Sequence, residues 1–320
     1  MEYLSLFSGI GAFESAMKNL NIPFDLVGFS EIDKYAVKSY CAIHDVPESM
    51  NLGDITKIDE TKLPNVDFVT YGFPCQDISL CGRQQGLFNA DGTKTRSGLF
   101  FDALRIIEHT KPMVAIAENV KNLTSKKFSE QFQVVLESLE NAGYNNYWKV
   151  LNSKDFGIPQ NRDRVFIVSI RKDVDTGIFE FPESYPLKLR LKDLLEAEVD
   201  EKFYLSDDCM EKIVDSAEVA TFAKENNADV PVRIGNIYGE QFGTGYAVNV
   251  WDMVKHGLRI RKLTPKECFR LMGFKDEDFA KAEAVNSNTQ LYKQAGNAIV
   301  VDVAEELLCM LFDEGGCFYV

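Results

Sequence analysis

The sequence predicts an α/β protein built on a doubly wound, mostly parallel sheet, with a smaller irregular second domain. Three observations predict it. Residues 3–8 form an apolar strand pattern that runs into the turn Phe7-Ser8-Gly9-Ile10-Gly11 and then a helix to about Leu20, the strand–turn–helix order of such sheets. Apolar runs at 66–71 and 113–117 stop at Cys75 and Glu118, and open α/β sheets bind ligands at strand carboxyl ends. Near Asp173 the alternation of strands and helices ceases. Residues 173–258 are acidic, broken by Pro182, Pro186 and Pro231, and carry Gly235, Gly239, Gly243 and Gly245 among aromatics.

Composition limits the function classes. A chain of 320 residues is long for one core, so a large domain and a smaller one are expected. Hydrophobic content of 45% and charged content of 26% are ordinary for a globular protein, and no apolar run approaches the roughly 20 residues of a membrane span. The N-terminus enters a strand pattern directly, without a basic segment or cleavage site. Seven cysteines without C-x-x-C spacing argue against disulfides and zinc, and His44, His109 and His256 are scattered, so no metal site is expected. A reducing cytoplasm fits these features. Net charge of −14 argues against nucleic acid, yet Lys255, Arg259, Arg261, Lys262, Lys266 and Arg270 oppose only Glu267 across 255–270. Arg162, Arg164, Arg171 and Lys172 form a second basic stretch, so charge leaves a phosphate-binding cleft open.

Each element follows in order. The first turn lacks the third glycine of a dinucleotide fingerprint, because Glu14 stands there; its glycines suit a compact, charged ligand. Residues 26–30 read as the second strand, ending on Glu31, where an acid suits ribose hydroxyls. Gly53-Asp54-Ile55 is expected to close a third strand, with Asp54 placed for an adenine amino group. Taken singly, either acid reads as well as a solvated loop residue. After the strand at 66–71, Gly72 and Pro74 break the ladder, and Cys75 falls just past its end. A free cysteine is most often a small core residue, but the polar, glycine-punctuated run 83–97 beside it resembles a lid. Residues 99–110 form an amphipathic helix, and the next strand delivers Glu118-Asn119-Val120 to the same edge. A carboxyl at an apolar strand mouth is a candidate general acid. A helix at about 128–141 and a strand at 147–151 precede Gln160-Asn161-Arg162-Asp163-Arg164 and a strand at 165–169. Arg162 and Arg164 alternate, so both are expected on one face, to hold a phosphate, a carboxylate or a base carbonyl. Thr264, Pro265 and Glu267 mark a helix start, and Gly273 its end. Gln294-Ala295-Gly296-Asn297-Ala298 is expected to lead into an amphipathic helix at 299–312.

Together these residues resemble the bacterial DNA (cytosine-5) methyltransferases. The ordered motifs are Phe7-Ser8-Gly9-Ile10-Gly11, Gly72-Phe73-Pro74-Cys75-Gln76, Glu118-Asn119-Val120, Gln160-Asn161-Arg162-Asp163-Arg164, Arg261-Lys262-Leu263-Thr264-Pro265-Lys266-Glu267 and Gln294-Ala295-Gly296-Asn297. The match covers most of the chain outside 173–258. It implies a Rossmann-like, S-adenosylmethionine-dependent sheet at 1–172, a target-recognition domain at 173–258, a hinge at 259–286, and a segment at 287–320 that returns to the catalytic domain. It implies attack of the Cys75 thiolate on carbon 6 of a flipped cytosine, activating carbon 5 for methylation. Glu118 would hold or protonate ring nitrogen 3, Arg164 contact the base carbonyl, and Arg162 place the others. By the same resemblance Phe7, Gly9, Ile10, Gly11, Glu31, Ile32, Asp54, Ile55, Pro74, Leu99, Asn297 and Ala298 would bind the cofactor. Gln76 would fill the space left by the flipped base, and Arg83 would join it on DNA.

One departure concerns recognition: no Thr-Leu pair occurs between 173 and 258, where the family carries one. Arg233, Gln241, Thr244 and Asn249 are the candidate readers in its place. The implied partner is double-stranded DNA, without a membrane; the chain is expected to be a monomer, and a cognate restriction endonuclease is left open. Three rivals remain. A tRNA cytosine-5 methyltransferase would carry a Cys-Phe-Thr tripeptide, absent here; a silent DNA-binding relative would not need intact Cys75, Glu118, Arg162 and Arg164; a nicotinamide dehydrogenase is disfavoured by Glu14.

Overall fold

A computed structural model describes residues 1–74, 86–87, 95–204, 232–234, 246–249, 259–312 and 316–318. Its centre is a six-stranded sheet in the order β2-β1-β3-β4-β6-β5. The strands are β1 (Glu2–Leu6), β2 (Asp25–Ser30), β3 (Phe68–Tyr71), β4 (Val114–Val120), β5 (Tyr144–Asn152) and β6 (Asp163–Arg171). The first four pair in parallel, while β6 runs antiparallel to both β4 and β5. Strand polarity follows from the connections. Helices α1 (Ala12–Asn19), α2 (Lys34–His44) and α3 (Phe100–Thr110) cross between the parallel strands, whereas α4 (Ser129–Asn141) feeds the β5–β6 pair.

Alternation along the strands explains why the apolar runs are continuous. Tyr3, Phe68, Val114, Ile116, Phe166 and Val168 enter one core with α1. Leu4, Leu6, Val69, Tyr71, Ala115, Ala117, Val165 and Ile167 enter the other, with α3 and α4. Both faces are covered, so both residue sets must be apolar. The helix Val301–Phe312 lies in the first core, where Phe312 meets Phe68 edge-on at 5.1 Å between ring centres. Residues beyond 172 continue along that core: Phe179 is buried in it, and Asp175 accepts hydrogen bonds from Asn145 and Tyr147.

Several expectations are corrected. No third strand ends at Asp54. Asn51 forms a single bridge to Phe29, and the chain turns into a 3-10 helix, Ile55–Lys57. Gly53 takes a φ of +72°, and the Asp54 carboxylate accepts from the Thr56 amide and hydroxyl, so local bonds replace a ladder. Gln294 to Asn297 do not merely precede a helix; they end one, Asn288–Asn297. A further helix, Asp276–Glu283, also went unforeseen. Both are short and polar on average, and their few apolar residues (Phe279, Ala282, Leu291 and Ala295) bury themselves in the main core. The stretch 173–258 contains regular structure too: β7 (Val232–Ile234) and β8 (Tyr246–Asn249) make an antiparallel sheet with β9 (Arg259–Lys262), which lies in the expected hinge.

Of the basic run at 255–270, Arg261, Lys266 and Arg270 are paired internally. Arg261 forms a two-pronged ion pair with Glu267, both buried, and Arg270 and Lys266 share Asp276. Glu267 also accepts from the Thr264 and Glu196 amides, while Thr264 caps the helix Pro265–Arg270. This acid therefore ties β9, the helix start and residues near 196 together.

Candidate active site

The carboxyl ends of β1, β3 and β4 face a cleft with about 470 Å³ of open space, its solvent mouth included. Its wall includes Phe7, Gly9, Ile10, Glu14, Gly72, Glu118, Asn297 and Ala298. Expected cofactor and catalytic residues from three separate motifs thus share one cavity.

The turn after β1 is shaped by backbone geometry. Phe7, a non-glycine, holds a φ of +54°, and Gly9 and Gly11 follow at +57° and +80°. Such a strained stretch persists only when its surroundings over-determine it. Here the Gly9 amide donates to Glu31 Oε2 at 2.9 Å, and the Ser8 amide donates to the Ser30 carbonyl. Glu31 Oε1 accepts from the Ile32 and Asp33 amides, so this carboxylate welds the turn to the end of β2. Burial pushes the Glu31 carboxyl up, and those three amides oppose the rise.

Behind the turn stands a residue to which the sequence reading gave no role. His44, buried at the end of α2, lies 3.0 Å through Nε2 from the Ile10 carbonyl and 3.3 Å through Nδ1 from Lys18 Nζ. The carbonyl requires a proton on Nε2, so Nδ1 accepts from the lysine. Burial and the neighbouring Lys18 push the imidazole down to about 3, and it stays neutral. A side chain at Gly11 would overlap this ring, which gives that glycine a packing role besides its φ. No local signal marks His44, because its partner is 34 residues away.

On the other side, Glu118 lies within the end of β4, its side chain only 14% exposed. Arg164 Nε donates to Oε1 at 2.8 Å, and a methyl group built on Gly72 would lie 3.6 Å from Oε2. The carboxylate therefore bridges the β6 arginine and the segment that leads to residue 75. Burial pushes the Glu118 carboxyl up, while the Arg164 and Arg162 guanidinium charges pull it back. Two further side chains fix the same segment: Asn119 Nδ2 donates to the Phe73 carbonyl at 3.0 Å, and Ser97 Oγ donates to the Pro74 carbonyl at 2.7 Å. Both are buried; from sequence Asn119 is marked only as part of Glu118-Asn119-Val120, and neither side chain receives a role of its own.

Alternation does not send both arginines to one partner. Arg162 precedes β6, and its Nη2 donates to the Gly296 and Ala298 carbonyls, each at 2.9 Å. It clasps the C-terminal helix end to the cleft, beside Asn297. Gln160 adds a bond to the Leu271 carbonyl.

Other expected residues stand near the cleft or beyond description. Ile32 is 76% exposed next to Glu31, Asp54 is bonded locally to Thr56, and Ile55 is buried beside Ile58. Pro74 is held by Ser97, and Leu99 ends the 3-10 helix Ser97–Leu99. Cys75, Gln76, Arg83, Gln241 and Thr244 lie outside the described residues, and for Arg233 and Asn249 only the strand backbone is described.

The family model for C-5 cytosine-specific DNA methylases matches residues 1–312. The chain belongs to that family. Similar proteins include the Type II methyltransferase M.Bsp6I of Bacillus sp. (strain RFL6), 36% identical over 96% of this chain and 97% of its own length. The Orphan methyltransferase M.SPBetaI of Bacillus phage SPbeta is 32% identical over 96% of each chain, and the Type II methyltransferase M.HhaI of Haemophilus parahaemolyticus 32% over 95% and 92%. Among solved structures, the S. pombe Dnmt2 methyltransferase superposes with a TM-score of 0.66 at 23% identity, covering 98% of this chain and 99% of that one. Entamoeba histolytica EhMeth gives 0.67 at 18%, covering 98% of each chain. At such identity these two share the fold. Methylases of this family take their methyl group from S-adenosyl-L-methionine. The cleft and its border suit that molecule chemically: nothing lies within 4 Å of a side chain built on Gly9, so a ligand can approach the backbone there, and Glu31, bonded to the Gly9 amide at the cleft's edge, retains acceptor capacity for hydroxyls beside the exposed Ile32. Among the described residues no acidic, histidine or cysteine cluster could hold a metal ion, and no helix is long and apolar enough to cross a membrane.

Proposed function

We propose that this methylase acts on carbon 5 of cytosine in double-stranded DNA, with Cys75 as the nucleophile. The observation that carries this reading is the Glu118–Arg164 pair facing Gly72, two residues before Pro74 and its fixed carbonyl. Cytosine carbon 5 is a weak nucleophile. Thiolate addition at carbon 6 breaks the 5,6 double bond and pushes electron density toward carbon 5 and ring nitrogen 3. Glu118, its carboxyl raised by burial, is suited to give or share a proton at nitrogen 3 as that charge develops. Arg164 keeps one carboxylate oxygen engaged and leaves the other toward the base. Arg162 acts as a positioning residue, holding Gly296 and Ala298 against the cleft. Bound S-adenosyl-L-methionine supplies the electrophilic methyl. Return of the carbon 5 proton to solvent and expulsion of Cys75 then restore the ring. A stacked base cannot present carbon 6 to a thiol, so the target must leave the duplex. The relatives' names, type II and phage orphan methyltransferases, favour a role in restriction–modification or phage protection. The enzyme is expected to trap covalently on DNA containing 5-fluorocytosine in the presence of the methyl donor, with the adduct on the Cys75 peptide by mass spectrometry. An adduct that persists in Cys75→Ser would remove Cys75 from the mechanism.

A further inference from the structure

The cleft has an acid at its foot that the methyl-transfer scheme does not use. Glu14, in the first turn of α1, is 2% exposed, yet it lines the cavity with Ser5 and Thr70. Its Oε1 accepts from the Tyr40 hydroxyl at 2.7 Å and from the Tyr3 hydroxyl at 3.3 Å. Thr70 Oγ1 lies 2.6 Å from the Tyr3 oxygen. With both phenols donating to the acid, Tyr3 accepts from Thr70, and every proton in the network points toward an anion. Among the described residues Glu14 makes no ion pair. Burial pushes the Glu14 carboxyl up, hydroxyls and its own backbone amide oppose the rise only in part, and a cation entering the cleft would complete the compensation. The position is also the one at which a dinucleotide turn would place glycine, so the acid closes the turn to pyrophosphate by charge as well as bulk.

We propose that Glu14 is the counter-charge for a cation of S-adenosyl-L-methionine and so discriminates among cofactor-derived ligands by charge. The molecule carries two such groups, the sulfonium and the α-ammonium. The proposal rests on this cleft being the cofactor's seat. Its test is calorimetric titration of the full chain with S-adenosylmethionine, S-adenosylhomocysteine, which lacks the sulfonium charge, and methylthioadenosine, which lacks both the sulfonium charge and the ammonium. Glu14→Gln should weaken S-adenosylmethionine at least about tenfold and leave methylthioadenosine within about twofold. If S-adenosylhomocysteine follows S-adenosylmethionine, the ammonium is the partner; if it follows methylthioadenosine, the sulfonium is. Equal loss for all three ligands, or no loss for any, would overturn the assignment. Should the glutamine variant not fold, Glu14→Met combined with Tyr40→Phe removes the acid with its strongest donor and is read the same way. Glu31→Ala serves as the control for the seat itself. Unchanged binding of all ligands by that variant would overturn the seat, whereas weakened binding there beside a charge-blind Glu14→Gln would overturn the Glu14 role alone.

Discussion

At Glu118, burial and two guanidinium groups act in opposite directions on one carboxyl. Burial favours the neutral acid that can give a proton, and the arginines keep a carboxylate available to take it back. Glu118→Gln keeps the shape and a hydrogen-bond donor but cannot cycle a proton. Single-turnover methylation is expected to fall about 100-fold or more, with the donor's Kd changed by less than about twofold in calorimetry. Asp302 offers a pH-dependent counterpart. Burial and the neighbouring Glu305 push its carboxyl up to about 6 from an ordinary 3.8. A raised folded value means stability that is full at acid pH and declines as pH rises from about 4 through about 6, by about 3 kcal/mol in all. Asp302→Asn should therefore be more stable than the parent at pH 7 and converge with it near pH 4 in urea unfolding; a gap independent of pH would refute this. Glu118 and the two arginines were legible as residues near one strand edge because strand ends and motifs marked them. Asn119, Ser97 and His44 were not, because their partners are carbonyls of distant segments that a sequence does not label.

At the scale of elements, the β1–α1 turn shows how a motif depends on what lies behind it. Gly11 has a φ of +80° and faces the His44 ring, so two independent constraints select glycine. Gly11→Ala is expected to lower stability by about 1–3 kcal/mol through backbone strain alone, and to weaken cofactor binding further by displacing the Ile10 carbonyl from His44. Thermal unfolding beside a binding isotherm measures both losses. Strands buried on both faces were readable as unbroken apolar runs. The supposed strand at Asp54 was misread, since a short apolar run flanked by Gly53 and an Asp that bonds Thr56 favours a local turn. Helices Asp276–Glu283 and Asn288–Asn297 were missed because few apolar residues mark them, although those few enter the main core.

Across the whole molecule, distant segments are joined by a small number of buried polar links. Arg162 reaches Gly296 and Ala298, Gln160 reaches Leu271, Gln294 pairs with Ser39, and Glu267 gathers Arg261, Thr264 and Glu196. Removing Glu267 would leave the Arg261 guanidinium buried and unpaired. Glu267→Ala is expected to cost about 3–5 kcal/mol, a fall in melting temperature of roughly 10 °C, with the loss largely recovered when Arg261→Met is added. No recovery in the double variant would mean that the acid acts mainly through the backbone amides it accepts from. By itself the sequence determined the layered α/β architecture and the family. Burial periodicity and strand-end placement are local properties, and ordered motifs survive without a structure. Only the tertiary structure decided that Glu118 pairs with Arg164 while Arg162 clasps the end of helix Asn288–Asn297. It also decided that Arg261, Lys266 and Arg270 of the basic run are spent on internal ion pairs, and that a carboxylate lies at the foot of the cleft. Each of these depends on which segments meet across long stretches of chain, and a charge or a carbonyl gains its partner only once the sheet has brought those segments together.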